Sequence, residues 1–128
     1  MARTLTLPHP HLIWLRTAAT LLISAVIAQA GFAAAFIGRD KSYFPYHAIG
    51  AGVTLTLAIG CAICFTVLRT TAGPVLLWLV WTTAAAIVVQ FVLGKLEIAD
   101  VHVFLGVLIA MLATALTSWT YRHHAPSE

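Results

Sequence analysis

The sequence predicts an all-α membrane protein, an up-and-down bundle of four transmembrane helices. Hydrophobic residues make up 61% of the chain and charged residues only 9%, far below the roughly 25% charged content of soluble domains. The few charges leave four uninterrupted runs, 17–38, 42–68, 70–94 and 101–121. Each run is longer than the roughly 20 residues needed to cross a bilayer core. Such continuous runs exclude a β-barrel, whose strands alternate in polarity.

The ends of these runs and two prolines indicate the helix boundaries. With Pro45 and Pro74 as helix-start markers, the expected helices are about 12–38, 44–69, 74–96 and 100–122. Their short loops require antiparallel neighbours. The chain, 1–128, is therefore expected to form a single transmembrane domain embedded in the lipid bilayer.

The first apolar run has the sequence features of a secretory signal peptide. Arg16 is followed by an apolar run and by Ala28-Gln29-Ala30, which has the pattern of a cleavage site. Because the apolar run continues through Ile37, we expect this segment to remain as a transmembrane helix.

The distribution of Lys and Arg predicts the orientation of the bundle. The termini and the second loop carry Arg3, Arg16, Arg69 and Arg122, whereas the first and third loops carry Arg39, Lys41 and Lys95 beside acidic residues. This small bias favours both termini in the cytoplasm of a bacterial inner membrane. The net charge of +3 gives no reason to expect a nucleic-acid partner.

The two halves of the chain resemble each other. Ala25–Gln29 matches Ala86–Gln90, and His47–Gly50 matches His102–Gly106. Both halves run in the same direction, which predicts a parallel two-helix pseudo-repeat about an axis along the membrane normal. Chance similarity between apolar segments is the competing explanation.

His47 and His102 are the strongest candidates for a functional site. Each lies about one turn inside an apolar span, in alternate helices, so both are expected at one depth on one side. Ionisable residues within spans are rare and indicate function by default. Facing imidazoles can ligate a haem iron from both sides, and helix bundles offer facing side chains for this purpose. We therefore expect one haem b with these two axial ligands.

The histidine pair has two alternative interpretations. The histidines could instead hydrogen-bond to neighbouring helices without any cofactor. Two histidines suit a metal ion without haem less well, because zinc and copper prefer a third or fourth ligand. No Cys, Asp or Glu is expected at the depth of the two histidines.

Other residues are expected to surround the haem. They are Gln29, Gln90, Gly50, Gly106, Arg39, Lys41 and Lys95. The glutamines form a second symmetric pair that would bond between helices and orient the imidazoles. The glycines lie on the histidine faces, where they permit either a flat macrocycle or close helix packing. The basic loop residues would meet the propionates or serve as interfacial anchors.

The cysteines and the remaining histidines receive no functional role. Cys61 and Cys64 form a C-x-x-C inside a span, which indicates two small buried apolar residues rather than a redox pair. Phe65 follows them where covalent haem attachment needs His. The other histidines, expected in solvated terminal tails, are His9, His11, His123 and His124.

A four-helix unit with His47 near the outer end of helix 2 and His102 in helix 4 resembles one half of a heme A synthase. The resemblance covers about 12–122 and implies this fold and a histidine-ligated haem. Those synthases carry a catalytic glutamate three residues before the histidine, where this chain has Phe44 and Ala99. Synthase activity is therefore not implied. The layout also resembles small uncharacterised bacterial four-helix membrane proteins.

The expected function is that of a membrane-embedded b-type cytochrome, for electron transfer or haem handling, with a redox partner or larger membrane complex. Because both axial positions are filled, an enzyme is not expected. Whether the chain forms a homo-oligomer stays open. The first alternative is a cofactor-free accessory or assembly subunit of a larger membrane complex. A proton-coupled exporter fits poorly, because it would need a carboxylate within a span. The four acidic residues all lie outside the apolar runs: Asp40, Glu97, Asp100 and Glu128.

Overall fold

Four long helices make up most of the structure, a computed structural model that describes residues 9–38 and 40–124. They are α1 (Pro10–Gly38), α2 (Phe44–Val67), α3 (Arg69–Lys95) and α4 (Ala99–Arg122). The described ranges contain no β-strand. All four helices are long and apolar enough to cross a membrane. The predicted fold class, an all-α four-helix membrane bundle, is confirmed.

The helices form a closed ring in chain order. Each packs against its neighbours along the chain, and α1 closes the ring against α4. Across the ring, α1 and α3 also touch, whereas among the described residues no Cα atoms of α2 and α4 come within 8 Å. The wider diagonal therefore separates the two helices that carry His47 and His102.

Short, well-defined connections keep the helices antiparallel. Between α1 and α2, an Asp40 carboxylate oxygen accepts the Ser42 N–H at 3.0 Å and caps a 3₁₀ turn, Lys41–Tyr43. Pro45 lies in the first turn of α2, where its missing N–H costs no hydrogen bond.

The start of α3 is broken after its first turn. Gly73 has φ 74°, a left-handed conformation that glycine adopts readily. Pro74 follows, so the regular part of α3 begins at the proline that marks a helix start in the sequence.

Side-chain packing differs between the two halves of the bundle. Buried residues of the four helices fall within 12–26, 54–65, 71–87 and 109–120, the half nearest the chain termini. No described residue in 27–53 or 88–108 is buried. Because helices in a bilayer associate mainly through close packing, the half near the termini holds the bundle together.

Candidate cofactor site

His47 and His102 occupy equivalent positions on diagonal helices. α2 begins at Phe44 and α4 at Ala99, so each histidine lies in the first turn of its helix, at the same place. Their side chains reach across the wider diagonal of the ring. The two imidazole centroids are 6.1 Å apart, and the ring planes are inclined by 82°. The structure therefore brings together the two residues that the sequence singles out.

Each imidazole is held by a main-chain carbonyl of the preceding helix. His47 Nδ1 lies 3.3 Å from Gln29 O, and His102 Nδ1 lies 3.0 Å from Gln90 O. A carbonyl oxygen can only accept, so each Nδ1 carries the hydrogen and donates it. In the neutral ring, Nε2 then keeps an unshared electron pair. This is the tautomer that metal-ligating histidines adopt, with the second nitrogen bonded to a carbonyl or carboxylate.

The same contacts occur in both helix pairs, which agrees with the repeat in the sequence. In α1 and α2 the acceptor is Gln29 and the donor His47; in α3 and α4 they are Gln90 and His102. Hydrogen-bond partners of matching type at matching positions are not expected from chance similarity of apolar segments. The likeness of the halves thus extends from residue identity to atomic contacts.

The glutamine side chains lie against glycines of the next helix. A Cβ atom at Gly50 would collide with Gln29 Nε2, and one at Gly106 would lie 3.2 Å from Gln90 Nε2. These glycines therefore pack closely against a carboxamide, and the predicted place for a macrocycle beside them stays a prediction. Among the described side chains, the Gln90 Oε1 atom is buried without a hydrogen-bond partner.

The spacing of the histidine rings agrees with a shared metal. Two imidazoles on opposite sides of one metal place their ring centres about 6 Å apart, because each metal–nitrogen bond is roughly 2 Å long and each ring centre lies about 1 Å beyond its nitrogen. The observed 6.1 Å agrees with this value. The ring planes are inclined by 82°, and a shared metal would require both Nε2 atoms to point at one position between the rings.

The described residues do not offer a third ligand. No group of three or more His, Cys, Asp or Glu side chains in 9–38 and 40–124 is arranged to hold a metal ion. Cys61 is buried, Cys64 is partly buried, and both are free thiols in the closely packed half.

Lys41 and Lys95, the basic loop residues that the structure describes, lie at the histidine end of the bundle. Lys41 is exposed in the 3₁₀ turn. Lys95 ends α3, with its Nζ 5.5 Å from the centroid of the Phe91 ring. Arg39 lies outside the described residues. The predicted contact with propionates stays a prediction for all three.

Two features of the structure are not predicted from the sequence. Gly94 lies against the His102 ring, since a Cβ there would be 3.0 Å from His102 Cε1. The only signal in the sequence is a glycine one turn after Gln90. The other feature is at the opposite end of the bundle, where His11 Nδ1 lies 3.1 Å from Thr71 Oγ1 and His123 Nε2 lies 2.7 Å from Thr71 O.

This second feature corrects the expectation for two of the four terminal histidines. His11 belongs to α1 and His123 caps α4, so neither lies in a solvated tail. Arg16 strengthens the same end by donating to the carbonyls of Tyr121 and His123, at 3.2 and 3.5 Å. The positive charge of Arg16 also interacts favourably with the negative, C-terminal end of the α4 dipole. Together these contacts join α1, α3 and α4 where the chain ends meet.

Comparisons with known proteins identify no relative of this chain. No family model matches the chain, and neither the curated proteins nor the solved structures yield a significant match.

Proposed function

We propose that the protein is a membrane-embedded b-type cytochrome that binds one haem through His47 and His102. The observation that carries the proposal is the histidine pair itself, with Nδ1 of each ring occupied by a carbonyl and the centroids 6.1 Å apart.

The role of this chain would be to hold and tune the iron ligands. Bound haem would supply one-electron redox chemistry. Donation from Nδ1–H to Gln29 O and Gln90 O fixes each ring and makes Nε2 a stronger ligand. Because both histidines would hold the iron, electron transfer or haem handling is favoured over catalysis. Phe44 and Ala99, which replace the glutamates of heme A synthases, supply no carboxylate for that reaction.

The location follows from the charge bias of the loops. In the proposed orientation, both termini lie in the cytoplasm of a bacterial inner membrane and the haem lies near the outer face. Lys41 and Lys95 are exposed at that end and would attract propionates or an acidic redox partner.

A cofactor-free accessory subunit is the second candidate, and one observation favours it. Centroids 6.1 Å apart with planes at 82° also describe an edge-to-face contact between two rings. In that case the histidines would join α2 to α4 directly, and the chain would serve as a scaffold within a larger membrane complex.

An absorption spectrum of protein purified from haem-replete cells separates these candidates. The cytochrome should show a Soret band and, after reduction, a sharp α-band. His47→Ala should lose the six-coordinate spectrum. His124→Ala, at an exposed position at the other end of the bundle, is the matched control and should keep it. A wild-type protein without a Soret band would exclude the cytochrome and favour the accessory subunit.

A further inference from the structure

The two histidines are held by almost the same contacts, yet their hydrogen bonds differ in length. The distance from Nδ1 to the carbonyl oxygen is 3.0 Å for His102 and 3.3 Å for His47. Because the two helix pairs repeat, the neighbouring residues can be compared one by one. One turn after Gln90 the chain has Gly94, whereas one turn after Gln29 it has Ala33.

A residue at this position lies beside the accepting carbonyl. In an α-helix, the N–H of residue i+4 points at the carbonyl of residue i. Its Cβ is tilted toward the helix N-terminus and therefore toward that carbonyl. A Cβ at Gly94 would be 3.0 Å from His102 Cε1 and 3.4 Å from Nδ1. An alanine there would push the ring away from Gln90 O.

We propose that Gly94 is a positioning residue for His102, which leaves the Gln90 carbonyl open and lets the imidazole lie directly against α3. His102 is then the more firmly held of the two rings, and Ala33 accounts for the looser contact of His47. Iron binding by the positioned Nε2 rests on the proposed function. The role of Gly94 in the hydrogen bond does not depend on it.

The test compares Gly94→Ala with a matched glycine variant. Gly31→Ala is the control, because a Cβ at Gly31 meets nothing within 4 Å. Weakening a hydrogen bond behind a metal-ligating histidine lowers affinity about 10-fold or more. Gly94→Ala should therefore bind haem about 10-fold more weakly and show a five-coordinate fraction, while Gly31→Ala should match the wild type. If the wild type binds haem and Gly94→Ala binds it equally well, Gly94 is not a positioning residue, although the cytochrome proposal stands.

A second measurement needs no haem. Spectra of ¹⁵N-histidine in detergent micelles report the Nδ1-protonated tautomer of each ring and the strength of its hydrogen bond. Gly94→Ala should change the His102 signals and leave those of His47 in place. Ala33→Gly, which removes a side chain and adds no bulk, should move the His47 signals toward those of His102. Unchanged signals in both variants would overturn the proposal, whether or not the wild type binds haem.

Discussion

The imidazoles of His47 and His102 face each other across the wider diagonal of the bundle, with centroids 6.1 Å apart. No Cα atoms of α2 and α4 come within 8 Å in the described ranges, so side chains alone bridge this gap. Each ring is fixed from behind by a carbonyl of the neighbouring helix. Both rings are therefore oriented by hydrogen bonds and lie within contact distance of each other.

The histidines should act as one unit in haem binding. Substituting either His47 or His102 by Ala removes one axial ligand, and we expect both single variants to lose haem to a similar extent. The double variant should be little worse than either, because interacting residues are not additive. The ratio of Soret absorbance to protein, measured for all four proteins, tests this. Losses that simply multiply would show that the two histidines act separately.

The fit of Gln29 against Gly50 should be sensitive to side-chain volume. Gly50→Leu would displace the carboxamide, and overpacking typically costs about 1–3 kcal/mol. The matched control is Gly52→Leu, on the same helix, where a Cβ meets nothing within 4 Å. We expect a lower unfolding temperature in micelles for the Gly50 variant only. Equal effects of the two substitutions would mean that the Gln29 contact does not limit packing.

The contact between His11 and Thr71 should stabilise the end of the bundle near the termini. Thr71→Val keeps the shape of the buried side chain but removes the hydroxyl that lies 3.1 Å from His11 Nδ1. A typical hydrogen bond contributes about 1 kcal/mol, and we expect a loss of that size in the free energy of unfolding. Thr70→Val, at an exposed neighbouring position, is the control. Denaturation of both variants in mixed micelles provides the comparison, and no difference between them would rule out the stabilising contact.

The orientation can be tested with reporters. If Lys and Arg direct insertion, a reporter fused after Glu128 should be active in the cytoplasm. A tag inserted beside Lys41 should be labelled from outside the cell. The reverse pattern would place the histidine pair near the cytoplasmic face and change the class of electron donor that can reach it.

Some of the site is visible in the sequence because it depends on spacing alone. Pro45 marks the start of α2 in the sequence, and His47 follows within one helical turn. His102 has the same position in α4. Four charge-free runs and short loops then require an antiparallel bundle, which brings both histidines to one end. The fold class and the matched depth follow from these local rules without any knowledge of side-chain contacts.

The contacts around the histidines cannot be predicted from the spacing of residues along the sequence. Gly50 and Gly106 are on the histidine faces, but their partners are glutamine side chains of the neighbouring helices. Which helix supplies the partner depends on how the helices rotate and cross. Apolar residues surround every one of these helices, so no polar face in the sequence specifies the rotation.

The sequence by itself determined the four spans, their alternation and the shared depth of His47 and His102, because hydropathy and helix geometry act along the chain. Only the tertiary structure decided that Gln29 and Gln90 hold the rings through main-chain oxygens, and that Gly94 lies behind His102. It also joined His11 and His123 through Thr71. Main-chain carbonyls are present at every residue, so their choice as hydrogen-bond acceptors depends on the packing of the helices and leaves no mark in the sequence.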